Sequence, residues 1–143
     1  MVIKNGLSMN ANPPSEIRLH KKSSTLELVF VNDIEYQLSA EYLRVHSPSA
    51  EVRGHSQGQE ILQTGKRQVK LLNIEPIGNY AVKLIFDDGH ETGIYSWHYL
   101  HELCTNKDVL WKAYVSKLKA KGASRDELSP GVQVVNIRPL SSD

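Results

Sequence analysis

Residues Tyr80 to Trp97 read YAVKLIFDDGHETGIYSW. Val82, Leu84 and Phe86 alternate with Ala81, Lys83 and Ile85, a period of two that belongs to a strand. Both faces of this run are largely apolar, so the spacing predicts a central strand with neighbours on each side. Asp87-Asp88-Gly89-His90 is a turn signal, and Thr92, Ile94 and Tyr95 follow as the return strand. Ser96 is then placed to cap a helix running through Trp97, Tyr99, Leu100 and Leu103.

The same periodicity extends outward. Ile17 and Leu19, then Leu26, Leu28 and Phe30, form two alternating runs separated by the polar turn Lys21-Lys22-Ser23-Ser24. After Asn32-Asp33 come Ile34, Tyr36 and Leu38, which completes a three-stranded antiparallel meander. Ser39 can cap a short helix at Ala40 to Arg44, ended by Ser47-Pro48-Ser49 because a residue before proline avoids the helical region. Val69, Leu71 and Ile74 open a further β region with a bend at Pro76 and Gly78. Beyond Asn106, Val109, Leu110, Tyr114, Val115 and Leu118 fall at helical spacing, and Gly122 is a stop signal. The fold class expected is α+β: a small, largely antiparallel sheet domain with a short helix after strand three and C-terminal helices packed on it. The polar stretch through residue 14 reads as a flexible leader, residues 15–121 as the folded unit, and residues 122–143 as a flexible tail with a β-prone patch at Val132 to Ile137.

Composition narrows the function classes. The 143 residues carry 17 Lys and Arg against 16 Asp and Glu, a net charge of +1. Dedicated nucleic-acid binders show a strong basic excess, so no nucleic-acid partner is expected. No apolar run approaches the roughly 20 residues of a membrane helix, and no signal peptide is recognisable. A single cysteine, Cys104, forbids an internal disulfide and points to a reducing, cytoplasmic setting.

Several residue groups could carry chemistry. His98, His101 and Cys104, at i, i+3 and i+6, span roughly 120° of one helix face. With His90 they would supply four nitrogen and sulfur ligands to zinc or iron. The plainer reading makes the two histidines surface residues and Cys104 a small buried hydrophobe. Cys104 as a nucleophile would need a helix N-terminus or a base, and it sits late in its helix. Asp87, Asp88 and Glu91 read either as an acid–base set or as solvated turn formers. Phosphate-loop, dinucleotide, nucleophile-elbow and zinc-protease motifs are all missing. The segment Leu43 to His55, LRVHSPSAEVRGH, gathers two arginines, two histidines, two serines and a glutamate. Arg44 and Arg53 there could bind a carboxylate or phosphate, or pair with Glu51 or Glu41 to hold the loop.

LRVHSPSAEVRGH and FDDGHETGIYSW together resemble the DUF971 family, the gamma-butyrobetaine-hydroxylase-like N-terminal domain, over about Ile17 to Cys104. The resemblance implies an α+β domain. In the hydroxylases this domain precedes an iron- and 2-oxoglutarate-dependent catalytic domain and holds a structural zinc through three cysteines and a histidine. The histidine matches His90. The cysteine positions correspond to Ser47, Ser49 and Val52, which cannot replace thiolates, so no cofactor is expected and His90 is expected to bond into the Ser47 to Val52 loop. The chain resembles the domain standing alone, without the oxygenase. A similar domain ends some P-loop ATPases that carry iron–sulfur clusters.

The resemblance therefore implies a non-catalytic binding or adaptor domain, accessory to iron–sulfur cluster assembly, with a protein partner such as a P-loop iron–sulfur carrier ATPase. Its expected binding patch joins Arg44, Ser47, Ser49, Glu51, Arg53 and His55 to His90, Tyr95 and Trp97. The alternatives are a metal-binding protein using His90, His98, His101 and Cys104, or an accessory subunit of a separate oxygenase. The oligomeric state stays open; an apolar edge strand or the Tyr114, Val115 and Leu118 face could support a dimer.

Overall fold

A computed structural model of the chain describes residues 13–54, 58–127 and 135. Two antiparallel three-stranded sheets and four helices make an α+β fold. The first sheet is a meander of β1 (Glu16–His20), β2 (Thr25–Val29) and β3 (Glu35–Ser39). Its register pairs Leu19 with Leu26 and Leu28 with Tyr36, as alternation requires. Glu27 faces away from those leucines yet is covered too, because its cross-strand neighbour Arg18 and His20 both bond to it.

The second sheet holds β5 (Ala81–Phe86) between β4 (Leu71–Ile77) and β6 (Ile94–Ser96). The strand that is apolar on both faces is thus the central one. Pro76 lies inside β4 rather than in a bend; as β4 is an end strand, the missing N–H costs no ladder bond on its outer side. Leu26, Leu28 and Leu38 of the first sheet share one core with Val82, Leu84 and Phe86 of the second and with Leu100 and Leu103. Each such side chain contributes about 1.5–3 kcal/mol by leaving water.

Serines set three helix starts. Ser39 accepts the Tyr42 N–H to open α1 (Ala40–Val45), Ser49 accepts the Glu51 N–H to open α2 (Ala50–Arg53), and Ser96 accepts the Tyr99 N–H to open α3 (Trp97–Thr105). Each thereby satisfies an otherwise orphaned donor. The last helix, α4 (Lys107–Ala120), ends where Gly122 turns left-handed at φ 63°. Gly122 N–H bonds to Lys119 and Ala123 N–H to Leu118, which closes the last turn.

Two sequence expectations are corrected here. Tyr114 and Leu118 do not form a free face for a second copy; they are buried in a small cluster with Val45, against Leu62, Val115 and Ala123. Residues 122–127, placed in the tail by sequence, lie against the folded unit. Backbone bonds join Gly65 to Ser124 and Arg67 to Arg125, and the Arg125 guanidinium reaches buried Glu41. The leader to residue 12 and the β-prone patch apart from Val135 lie outside the described residues. Among the described residues no helix is long and apolar enough to cross a membrane.

Candidate functional site

The loop from Val45 to Arg53 and the turn after β5 meet in a closed ring of hydrogen bonds. The turn places His90 4% exposed beside Ser47, which is 1% exposed. Ser47 Oγ lies 2.8 Å from His90 Nε2, and His90 Nδ1 lies 3.2 Å from Glu51 Oε1. A carboxylate only accepts, so Nδ1 carries the proton and Nε2 accepts from the Ser47 hydroxyl. Ser47 Oγ in turn accepts the Ser49 N–H at 3.2 Å. Ser49 Oγ meets Thr92 Oγ1 at 2.7 Å, and Thr92 donates to Glu51 Oε2 at 3.2 Å. Every proton in the ring has one direction that satisfies all its members. Burial, and then the charge of Arg44, hold the His90 pKa below its ordinary value against the opposing pull of Glu51 and Asp88.

A serine, a histidine and a carboxylate in line is also the arrangement of serine hydrolases. Here the Ser47 hydroxyl is sealed. Gly93 packs so close that a Cβ there would sit 2.5 Å from Ser47 Oγ, and the Ser49 N–H already occupies the oxygen. No substrate carbonyl can approach it.

Ser47, Ser49, Val52 and His90 are the four positions at which the resemblance puts zinc ligands, and the residues present do not fit that ion. Two offer neutral hydroxyls engaged in the ring, and Val52 is a buried aliphatic side chain. Only His90 has a ligand atom, and it accepts from Ser47.

Around the ring, charged groups are paired over long sequence distances. Arg44 does not pair with Glu41 or Glu51. Its Nε donates to Asp88 Oδ2 at 2.8 Å and its Nη1 to Gln63 Oε1 at 3.0 Å. Lys66 Nζ reaches the same Asp88 oxygen at 2.6 Å. Burial alone would push the Asp88 carboxyl up, but Lys66, the His90 N–H and Arg44 outweigh it and hold the pKa at about 2. Asp88 is therefore a fixed anion that anchors the turn. Asp87 bonds to the Lys70 backbone, and Glu91 is exposed.

The expected surface patch is mostly interior. Arg44, Ser47, Ser49, His90 and Tyr95 are all buried. Tyr95 donates to the Leu43 carbonyl at 2.6 Å, and burial pushes its hydroxyl pKa up. Trp97, half-buried, donates from Nε1 to the Asn79 carbonyl at 2.8 Å. Glu51 and Arg53 are the patch residues that reach solvent, with the Arg53 guanidinium 4.7 Å from the Tyr99 ring centre. His55 lies outside the described residues.

The alternative metal set is not brought together. His98 is exposed and 3.7 Å from Glu102, His101 stacks edge-on against Phe30 at 5.3 Å, and His90 is in the ring. Cys104 is in the core, where burial pushes its thiol up to about 12. Among the described residues no three His, Cys, Asp or Glu side chains are placed to hold a metal ion.

Beside the ring lies a cavity of about 360 Å³ that sequence reading did not anticipate. Val45 and Val52 from the loop, Leu62, and Leu110 and Tyr114 from α4 give it apolar walls. Arg53, Lys117 and Lys121 stand at it with exposed side chains, and Glu60 is its one carboxylate. The i, i+4 spacing of Lys117 and Lys121 is the one sequence signal for it, and lysines in a last helical turn equally suit the helix dipole.

The sequence matches the family described as "Gamma-butyrobetaine hydroxylase-like, N-terminal" over residues 17–101. The chain belongs to this family. Two solution structures resemble it over their whole lengths: one at 50% identity across 89% of this chain with a TM-score of 0.74, another at 42% across 95% with 0.68. A crystal structure of a DUF971 protein of unknown function from Acidithiobacillus ferrooxidans is 39% identical across 63% of this chain and 90% of its own, with a TM-score of 0.53. No curated protein matches the sequence.

Proposed function

We propose that this family member is a non-catalytic binding domain. The reading rests chiefly on one observation. The side chains with reactive chemistry are consumed in the sealed ring and the core, while the adjoining cavity keeps its cations facing solvent. Ser47, His90 and Cys104 are groups that hold a shape, and the shape they hold includes one wall of the cavity. Its compartment on this reading is the cytoplasm.

As an adaptor, the domain engages a protein partner, and the family resemblance favours a P-loop ATPase that carries iron–sulfur clusters. The exposed end of the loop at Arg53, where guanidinium and aromatic ring are stacked, is the contact point this reading selects. The test is capture of such an ATPase by the tagged full chain, compared with Arg53→Ala. The expected result is capture weakened by the substitution. No capture would remove the adaptor role, and capture indifferent to Arg53 would remove Arg53 as its contact point.

A further inference from the structure

The cavity beside the α1–α2 loop has features that the sealed ring does not explain. Its walls are tied in place before any ligand arrives. Tyr99 donates to the His46 carbonyl at 2.6 Å, and Tyr114 donates to the Gln63 carbonyl at 2.7 Å. Both hydroxyls are thus spent on backbone, and both rings are fixed as cavity walls. A volume of about 360 Å³ falls within the roughly 300–1,000 Å³ typical of small-ligand sites.

The charge around it is one-sided. Arg44, Lys66, Arg67 and Arg125 each contact a carboxylate elsewhere in the fold. Arg53, Lys117 and Lys121 have no carboxylate within ion-pairing distance among the described residues. All three converge on this cavity, against the single acid Glu60. His46 adds no further cation: burial and Lys117 hold its pKa below the ordinary value. Its Nδ1–H donates to the Tyr42 carbonyl at 2.9 Å, which leaves Nε2 as an acceptor. An apolar recess with cations at its edge is complementary to a molecule with an apolar body and an anionic head.

We infer that this cavity binds a small organic anion, its aromatic or aliphatic body against Val45, Val52, Leu110 and Tyr114 and its acidic head between Arg53, Lys117 and Lys121. This rests on the reading of the chain as a binding domain and names the ligand class, independently of any protein partner.

The test uses 1-naphthoate on the full-length protein, with 1-naphthalenemethanol as the uncharged analogue, followed by amide chemical shifts in NMR. Shifts are expected at residues 45–53, 60–63 and 110–121. The neutral analogue, and Lys117→Gln/Lys121→Gln with naphthoate, should each bind about tenfold more weakly. Ala113→Phe, which fills the cavity from an exposed position on α4, should abolish binding while leaving the thermal unfolding midpoint near that of the parent. Equal affinity for the charged and neutral probes would overturn the anionic selectivity. Naphthoate shifts elsewhere on the protein, or none at all, would overturn the site. Capture of the ATPase with no naphthoate binding would sink this inference alone; naphthoate binding without capture would sink the adaptor role alone.

Discussion

The Ser47 hydroxyl donates to His90 Nε2 across 2.8 Å, from a loop to a turn 43 residues away. This one bond closes the ring at the place where relatives are expected to use metal. Ser47→Ala would leave His90 Nε2 and the Ser49 N–H without partners in a buried setting. Unpaired buried groups cost about 1–3 kcal/mol each, so a loss of that order is expected. Urea unfolding checks it, as a lower midpoint at unchanged slope. An unaltered midpoint would mean that the ring contributes no stability.

Gly93 is tied to the same bond through space. A methyl group at this position would meet Ser47 Oγ at 2.5 Å and the Tyr95 ring at 3.0 Å. Both neighbours are buried and hydrogen-bonded, so neither can give way cheaply. Gly93→Ala is therefore expected to destabilise by about 1–3 kcal/mol through overpacking. The double variant Gly93→Ala with Ser47→Gly should recover part of the loss, and a cycle of denaturation measurements would show that coupling.

The strands were legible because alternation is a local property. Leu26, Leu28 and Leu38, and Val82, Leu84 and Phe86, each declare a face within a few residues. The Ser39 and Ser96 caps were legible for the same reason, whereas Ser49, which opens the short α2, read as part of a helix break. What periodicity could not supply was pairing across the fold. Arg44 finds Asp88 rather than Glu41 or Glu51, and Glu41 finds Arg125, 84 residues away. Those choices depend on which elements the topology brings together. The exposure of the loop was misread likewise: Arg44, Ser47 and Ser49 are polar, and polarity suggests surface until partners are known. The cavity needed α4 to be laid against the loop, and the spacing of Lys117 and Lys121 within one helix does not say what that helix packs against.

Arg125 carries a prediction about where the folded unit ends. Its guanidinium makes two bonds of 2.7 Å to Glu41, whose side chain is 7% exposed, and lies 4.9 Å from the Trp111 ring centre. Removing one member of such a pair leaves a buried charge, and the loss expected for Arg125→Ala is roughly 3 kcal/mol. A chain ending at Lys121 should lose at least as much, since the backbone bonds to Gly65 and Arg67 go too. A truncated chain as stable as the parent in thermal unfolding would restore the boundary at residue 121.

Acid should weaken the fold in two stages. His46 and His90 both have native pKa values below the ordinary 6.5, His46 through burial and Lys117, His90 through burial and Arg44. The unfolded chain then binds more protons than the native one. Their stability is present above about pH 6.5 and is lost as the pH falls below it toward the lowered native values. Asp88 acts in a lower window. Its pKa falls from 3.8 to about 2, so its contribution is present above pH 3.8 and lost on the way down to about 2. Denaturation midpoints between pH 7 and 2.5 would show both stages, and Asp88→Asn should remove the second. NMR titration of His90 at or above 6.5 would contradict the first.

The ring also predicts what would return if its serines became thiols. Ser47 and His90 are already in contact, and Ser49 N–H is bonded to Ser47 Oγ. Val52 N–H donates to the Ser49 carbonyl at 2.9 Å, which holds the third position one turn further on. The backbone thus keeps the loop folded beside His90 without metal. Cysteine at all three positions would supply three thiolates and one imidazole, a tetrahedral zinc set. Ser47→Cys/Ser49→Cys/Val52→Cys is expected to bind one zinc per chain and to gain thermal stability with zinc that a chelator removes. Adding His90→Ala should weaken that binding sharply. A triple variant that folds yet takes up no zinc would show that the loop has diverged in shape as well as in side chains.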